Sequence, residues 1–486
     1  MMLLTPVFPH RCPDPPVRVR VPFPVGCGRW GHLRLEDRPV AFFFRHAAVR
    51  DILGKSAARG PVILARGGRL YSFNGSRSAM AGLEAFLLGA ALNSSMTRPT
   101  TRSGGRPQRT FGVEEEFLLV DATTGQPVPA AEACLAKAPQ RPETSGSPFL
   151  ALEVQQEQLE AVGPVCSTLQ ELVAGIREGR RLADEAARSV GARAVAVATS
   201  PVPATPTLVP QPRFLHMATR FGLTLREQLT CGFHVHVGIT DGEEGVAVLD
   251  RIRVWLPVLL ALSANSPFWQ GADTGYASFR YQAWNRWPTA GPSERFGSER
   301  EYHRYVHSLL TTGVLLDEGM VYFDARLSRN HPTVEVRIAD VCMEASHAAA
   351  IAAIVRALVE RAAQEWRAGI SAPRLSAGQL SLAAWKASQS GVDDTLLHPL
   401  LNTPCPAGEA VQVLLSHIRP ALADSGDEEQ VTAEVARILS SGTGSRRQRE
   451  IMMSTQSLPA VVLEAIGHTH GTAPAPHRRS RRLRTS

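Results

Sequence analysis

Residues 111–121 constrain this chain most, because apolar and acidic side chains alternate there with the two-residue period of a β-strand. On that period Glu114 and Glu116 point from one face, whereas Glu115 shares the other face with the apolar residues. Two neighbouring carboxylates repel each other unless a cation or a proton lies between them, so the pattern indicates a divalent-metal site. An edge strand that carries acids for solubility would look the same.

A second acidic segment, residues 149–160, places carboxylates and carboxamides between apolar residues. Glu153 and Glu160 are seven positions apart in it. Because an odd interval sends two side chains to opposite faces of a regular strand, a bulge or a turn must intervene if both bind metal.

Two further predicted strands carry polar pairs beside an apolar stripe. His234 and His236 share one face within residues 229–238, where two imidazoles could meet one metal or phosphate, or one could be an ordinary core histidine. Glu335 and Arg337 alternate with valine and isoleucine within residues 334–338, a pattern that a surface ion pair would also produce.

Together these strands predict an α+β fold, in which an antiparallel sheet packs one face on helices and lines a cleft with the other. Carboxylate-rich ligation favours Mg²⁺ or Mn²⁺ over zinc. Hard cations and arginines without a nucleophile motif suit phosphoryl transfer from ATP. The chain has no GxxxxGK[ST] motif, which argues against a P-loop enzyme.

The remaining patterns predict mainly helices. A capping box of Thr168 and Glu171 begins a helix over residues 168–190. A long aromatic loop at 266–288 is typical of a substrate-binding wall. The basic segment 442–449 could close over phosphates or begin a solvated helix. Further helices are predicted at 130–138, at 246–264 and from 346 to about 466, with a buried strand at 193–199.

Composition adds few constraints. The 486-residue chain has a net charge of +7, but five arginines lie in its last ten residues, so the excess says little about the protein body. Seven scattered cysteines without a CxxC pair favour reduced thiols over a disulfide framework or a zinc ribbon. The apolar runs are interrupted and too short for a bilayer, so we expect a cytoplasmic protein.

We predict four parts along the chain. Residues 1–95, rich in proline and arginine at their start, form an uncertain N-terminal extension that translation from Met96 would omit. A polar linker covers 96–108, a catalytic domain covers 109–470, and a disordered basic tail covers 471–486.

Six segments, in order along the chain, resemble the YbdK-like carboxylate-amine ligases, also called glutamate-cysteine ligase type 2. The resemblance runs from about residue 109 into the helical C-terminal region. Its motifs are GVEEEF at 112–117, ExxQxQxE at 153–160, TCGFHVHV at 230–237, SANSPFW at 263–269, DTGYASxR at 273–280 and PTVEVRIAD at 332–340.

The resemblance implies a glutamine-synthetase-like catalytic fold, with a curved, mostly antiparallel sheet backed by helices and a helical C-terminal region. It also implies a reaction that uses ATP and Mg²⁺. The γ-carboxylate of L-glutamate attacks ATP to give γ-glutamyl phosphate, and the amine of L-cysteine displaces phosphate to give γ-glutamylcysteine. Members of this family act weakly on cysteine, so the true amine stays open.

The resemblance further implies roles for individual residues. The implied metal ligands are Glu114, Glu116, Glu153, Glu160, His234 and Glu335. The implied catalytic residues are Arg337, Glu335 and Arg280. Substrate binding falls to Arg280, Tyr276, Trp284 and Gln156, and nucleotide binding to Arg337, His236 and Arg446.

Two other functional classes stay open. A His-x-His strand also opens the metal site of barrel amidohydrolases, which add histidines and a lysine from later strand ends. The arginine tail could bind nucleic acid, which predicts a salt-dependent affinity that is lost when residues 477–486 are deleted. Otherwise we expect small-molecule substrates, no membrane partner, and a homodimer as one assembly.

Overall fold

The chain divides into two compact units, residues 1–106 and 107–486. A computed structural model describes residues 108–139 and 146–472, and in the first unit the backbone of four strands. These are β1 (Arg18–Val21), β2 (Gly31–Arg34), β3 (Val62–Arg66) and β4 (Arg69–Phe73), which form an antiparallel sheet in the order β2-β1-β3-β4. The rest of the predicted extension, the linker up to residue 107 and the tail beyond residue 472 lie outside the described residues.

The second unit contains one large sheet and two short hairpins. Its strands are β5 (Phe111–Asp121), β6 (Phe149–Leu152), β7 (Gln158–Val162), β8 (Ala192–Val195), β9 (Gly232–Gly238), β10 (Phe268–Trp269), β11 (Ala272–Asp273), β12 (Ala325–Leu327), β13 (Thr333–Asp340), β14 (Thr395–Leu397) and β15 (Pro404–Pro406). The large sheet has the order β12-β13-β9-β5-β7-β6, with β8 beside the end of β5, and every pair in it is antiparallel. This arrangement contradicts the amidohydrolase alternative, whose barrel is built from parallel strands.

Helices cover one face of this sheet and form the C-terminal region. They are α1 (Ala131–Lys137), α2 (Leu169–Arg188), α3 (Pro212–Phe221), α4 (Leu223–Arg226), α5 (Gly242–Ile252), α6 (Leu256–Ser263), α7 (Phe279–Trp284), α8 (Glu299–Thr311), a 3₁₀ helix (Glu318–Met320), α9 (Ala345–Arg367), α10 (Ala377–Ser390), α11 (Ala407–Ser425), α12 (Glu428–Ser441), α13 (Gly444–Thr455) and α14 (Leu458–Thr469). Among the described residues, no helix is both long and apolar enough to span a membrane.

The apolar face of the sheet rests on α5, α6 and α9. Val113, Phe233 and Val336, from three adjacent strands, belong to one buried cluster with residues of these helices. Helix α9 is buried along most of its length and contacts α2, α5, α11 and α12. Since side chains alternate along a strand, burying this face turns the acidic residues of the same strands to the opposite side.

Glu115 is an exception on the apolar face, and its charge is paired. Arg180 of α2 donates two hydrogen bonds to it, with Nη2–Oε1 at 2.7 Å and Nε–Oε2 at 3.1 Å. Arg180 also donates to the main-chain oxygens of Cys342, Met343 and Thr469. This buried pair therefore joins β5 to α2, to the segment before α9 and to the end of α14.

Two predicted elements differ from the structure. The helix expected over 246–264 is two helices, α5 and α6, because the chain turns at residues 253–255 and Pro257 lies in the first turn of α6, where its missing N–H is not needed. The strand expected over 193–199 ends at Val195, since Ala196 N–H donates to the Thr469 hydroxyl and Ala198 N–H to the Asn265 carbonyl. The capping box at the start of α2 is confirmed.

Candidate active site

A cavity of about 650 Å³ lies on the polar face of the large sheet. Residues directly opposite each other in an antiparallel pair point to the same face. The register of β5, β7, β9 and β13 therefore brings acids and imidazoles together: Glu114 lies opposite His234, Glu116 opposite Glu160, and Glu335 opposite His236.

Glu153 reaches this cavity through the turn between β6 and β7. The two strands pair antiparallel, with Ala151 opposite Glu160, and residues 153–157 connect them. The turn that the seven-residue interval requires is therefore present. It allows Glu153 and Glu160 to line the same cavity.

The carboxyl groups of Glu153 and Glu160 lie beside other carboxylates, and their pKa values are raised. Burial, and then repulsion from Glu116, raise the pKa of Glu153 to about 8. Burial, and then repulsion from Glu114, Glu153 and Glu116, raise the pKa of Glu160 well above its ordinary value. At neutral pH a bound cation would replace the protons on these carboxyl groups.

Glu114 differs because two imidazoles contact it. Burial acts to raise its pKa, but contacts from His234 (Nδ1–Oε2, 3.1 Å) and His236 (Nε2–Oε1, 3.3 Å) outweigh burial and hold the pKa well below its ordinary value. Burial, and then the charge of Arg337, lower the pKa of His234. This shift favours the neutral imidazole, which is the form that ligates metal ions.

Glu335 lies between two guanidinium groups. Arg326, opposite it in β12, donates through Nε to Oε2 at 2.8 Å and through Nη2 to Oε1 at 3.2 Å. Arg337 of the same strand also donates to Oε1. Burial acts to raise the pKa of Glu335, but Arg337 and then Arg326 outweigh burial and lower it far below its ordinary value. Glu335 therefore stays ionised.

Two triads of side chains in the cavity fit a metal ion. In each triad one donor atom from every residue lies within 4.8 Å of the other two: Glu114 with His234 and Glu335, and Glu116 with Glu160 and His234. With Glu153, the cavity floor gathers five carboxyl groups around two guanidinium groups. Divalent cations would offset this excess of negative charge, and the oxygen-rich donor set suits Mg²⁺ or Mn²⁺.

Nine residues predicted from the sequence line this one cavity. They are Glu114, Glu116, Glu153, Glu160, His234, His236, Trp284, Glu335 and Arg337. Four predicted residues do not line it, namely Gln156, Tyr276, Arg280 and Arg446.

Gln156 and Tyr276 make contacts outside this cavity, and their predicted roles in substrate binding stay predictions. The Gln156 side chain donates to the Glu132 carboxylate and accepts from the Glu132 N–H, so it holds the start of α1. Tyr276 packs its ring against Phe279 and Trp385, away from the cavity. Each residue lies in a loop, and the contacts of that loop with neighbouring elements set the direction of its side chain. A sequence pattern does not predict such contacts.

Arg280 and Arg446 also lie outside the cavity lining. Arg280 is 3 % exposed and donates to the main-chain oxygens of Arg337 and Ile338, both at 3.3 Å, so it supports β13, and its predicted role at the substrate stays a prediction. Arg446, in the first turn of α13, pairs with Asp393 and donates to the Ser440 carbonyl at 3.4 Å. The helix-start alternative for segment 442–449 is thus the one that the structure supports.

Several cavity residues were not selected from the sequence. One of them is Arg326, which lies opposite Glu335 in the β12–β13 hairpin. If residues 328–332 had been recognised as the turn of a hairpin, its register would have predicted this pairing. Arg213, Trp287 and Tyr322 also line the cavity, but the folding of three separate segments brings them there.

The part of the chain that forms this cavity matches a known protein family. Residues 110–468 match the family described as Glutamate-cysteine ligase family 2(GCS2). A protein of Paenarthrobacter aurescens (strain TC1) with the provisional name glutamate–cysteine ligase 2-1 is 56% identical over 366 residues, which are 74% of this chain and 95% of that protein. A protein of Streptomyces coelicolor with the provisional name glutamate–cysteine ligase 2 is 48% identical over 361 residues, 74% of this chain and 99% of that protein.

Solved structures with the same fold have low sequence identity to this chain. The glutamate–cysteine ligase of Francisella tularensis, solved in complex with AMP, has a TM-score of 0.58 at 13% identity and covers 75% of this chain and 89% of that one. A bifunctional glutathione synthetase from Pasteurella multocida has a TM-score of 0.55 at 16% identity, over 75% of this chain and 53% of that one. The predicted α+β class is confirmed, and the chain belongs to glutamate–cysteine ligase family 2, whose members are ligases that form carbon–nitrogen bonds.

Proposed function

We propose that this protein joins the γ-carboxylate of L-glutamate to an amine such as L-cysteine, using ATP and Mg²⁺ and passing through γ-glutamyl phosphate. The supporting observation is the convergence of acids from β5, β7 and β13 on one cavity beside the guanidinium of Arg337. Such a site can bring two anions, a carboxylate and a triphosphate, into contact.

The metal ions would be held by Glu114, Glu116, Glu153, Glu160, His234 and Glu335. When bound, they would neutralise phosphate charge and align the γ-phosphoryl group. Arg337 would donate to the phosphoryl oxygens, since its Nε has no hydrogen-bond partner among the described residues. Arg326 would hold Glu335 in place through its two hydrogen bonds.

The reaction has two steps that these residues would support. A γ-carboxylate oxygen bonds to the γ-phosphorus while the bond from phosphorus to ADP breaks. The amine nitrogen then bonds to the acyl carbon, phosphate leaves with the acyl–oxygen electron pair, and it takes up the proton that the nitrogen loses. Catalysis in both steps is positioning and charge neutralisation, which is the work that fixed acids and arginines perform.

An assay of ADP release tests this proposal. The purified protein with Mg²⁺, ATP and L-glutamate should release ADP over many turnovers only when an amine is added, and chelation by EDTA should stop the reaction. Sustained ADP release at the same rate without an amine, or amide cleavage without nucleotide, would contradict it. We also propose that the enzyme acts in the cytoplasm, and a homodimer stays a prediction that light scattering can check.

Substitutions at Glu335 and Arg337 test the assigned roles. We expect Glu335→Gln and Arg337→Ala each to lower turnover by about 100-fold or more, as does the loss of other transition-state electrostatic contacts. The control is Arg419→Ala, because Arg419 lies on α11 outside the cavity and its loss removes only an exposed ion pair with Glu428. Wild-type turnover in either site variant, with an unchanged melting curve, would remove that residue from the mechanism.

A further inference from the structure

One side of the active-site cavity is apolar and aromatic. Trp284, Trp287 and Tyr322 line it, with ring centroids 4.9 to 6.2 Å apart. Met217 and Leu225 line the same cavity, but both are buried, as are Trp287 and Tyr322, so the half-buried Trp284 presents most of the accessible surface. We call these five residues the aromatic wall. Neither phosphate, Mg²⁺ nor the carboxylates of glutamate would gain from contact with such a surface.

The aromatic wall lies next to the groups that would carry the reaction. The guanidinium of Arg280 is 6.0 Å from the centre of the Trp284 ring and donates at 3.3 Å to the main-chain oxygen of Arg337. A single buried side chain thus separates the wall from the backbone of Arg337. Trp284 and Arg337 line the same cavity, so a substrate group bound at the wall would share that cavity with the groups proposed to hold the phosphates.

The arginines near the wall are already paired with carboxylates. Arg213 donates to both oxygens of Asp317, at 2.8 and 3.0 Å. Arg326 and Arg337 both donate to Glu335. An acceptor with a carboxylate of its own, as L-cysteine has, would bring that charge to the wall without a free guanidinium to meet it. An unpaired charge at an apolar surface is costly.

Arg329 lies in the exposed turn between β12 and β13 and also lines the cavity, but other anions compete for it. The α-carboxylate of L-glutamate and the triphosphate of ATP both enter this cavity under the proposed function. Each requires cationic or metal contacts of its own. This single exposed arginine would therefore serve the donor or the nucleotide.

We propose that the preferred acceptor is a primary amine that carries an aromatic or bulky apolar group and no carboxylate, with that group bound against the aromatic wall. The inference rests on the proposed function, because an acceptor site exists only in a ligase of this kind. It narrows the amine of the proposed function to acceptors without a carboxylate, so that L-cysteine is not the preferred acceptor.

Four amines test the two parts of the proposal separately. Phenethylamine and L-phenylalanine differ by a carboxylate, as do cysteamine and L-cysteine, so the set varies the aromatic ring and the carboxylate independently. With the full chain, Mg²⁺, ATP and L-glutamate, we expect kcat/KM for phenethylamine to exceed those for L-phenylalanine and cysteamine by about 10-fold or more. An equal or higher kcat/KM for L-phenylalanine or L-cysteine overturns the proposal.

Substitution of the wall tests where the ring binds. We expect Trp284→Ala to raise the KM for phenethylamine about 10-fold more than the KM for cysteamine. Trp385→Ala is the matched control, because Trp385 is an exposed tryptophan of α10 outside the cavity. If Trp284→Ala instead raises the KM for ATP, the wall holds the adenine base and the proposal is wrong.

Calorimetric titration with phenethylamine, in the presence of L-glutamate and Mg·ADP, separates the two proposals. Saturable binding that Trp284→Ala weakens, together with no turnover of any amine, would refute the ligase function and leave the apolar site standing. Absence of saturable binding in a protein that turns over cysteamine would refute the apolar site alone.

Discussion

The raised pKa of the Glu160 carboxyl group determines how the stability of the metal-free protein depends on pH. A carboxyl group whose pKa is raised in the folded protein keeps its proton at a pH where the unfolded chain has lost it. Between the ordinary and the raised pKa, folding therefore becomes less favourable as pH rises. A metal ion reverses this trend, because it binds the carboxylate and displaces the proton.

We therefore predict that Mg²⁺ stabilises this protein more at about pH 8.5 than at about pH 6, since the pKa of Glu153 is raised to about 8 and that of Glu160 is also raised. Thermal unfolding with and without MgCl₂ at both pH values measures the effect. The Glu160→Gln variant, which cannot titrate at this position, should lose part of the pH dependence. An equal Mg²⁺-induced rise in Tm at both pH values would contradict the prediction.

At the scale of elements, most of the site residues that the sequence predicts correctly for the cavity lie on strands. A two-residue period assigns side chains to faces, so the sequence alone could place Glu114, Glu116 and Glu335 on one polar face. Their convergence required only that these strands pair in register, and the register places Glu114 opposite His234. The odd interval between Glu153 and Glu160 likewise required a turn, and a turn is present.

Loop and helix residues could not be predicted in the same way. The aromatic segment 266–288 folds into a short hairpin and α7, and that folding sends Trp284 to the cavity but Arg280 beneath β13. Residues of such a segment share no period with the sheet, so tertiary packing alone sets their direction. The partner of Glu115 was missed for the same reason, since Arg180 approaches from a different element.

We predict that Arg180→Met costs about 3–5 kcal/mol of unfolding free energy, because it leaves the Glu115 carboxylate buried without its partner. The double variant Arg180→Met with Glu115→Gln should recover a large part of this loss. Urea unfolding followed by circular dichroism measures both. Arg181→Met is the control, since the neighbouring arginine makes only exposed ion pairs and its loss should change little. A similar small effect at Arg180 would show that the buried pair does not hold these elements together.

At the scale of the whole molecule, the candidate site belongs to one unit. All residues of the cavity lie between residues 114 and 337, and the family match covers 110–468, so both fall within the unit of residues 107–486. That unit has its own large hydrophobic cluster, which joins the sheet to α5, α6 and α9. A compact unit with its own core can fold independently.

We therefore predict that a protein of residues 107–486 unfolds cooperatively and releases ADP at a rate within about twofold of the full chain. The measurement is the amine-dependent ADP assay on both proteins at equal concentration, with Arg337→Ala in the full chain as the inactive reference. A truncated protein that keeps its circular dichroism spectrum but loses ADP release would show that residues 1–106 contribute to the site. A truncated protein that fails to fold would show instead that they stabilise the second unit.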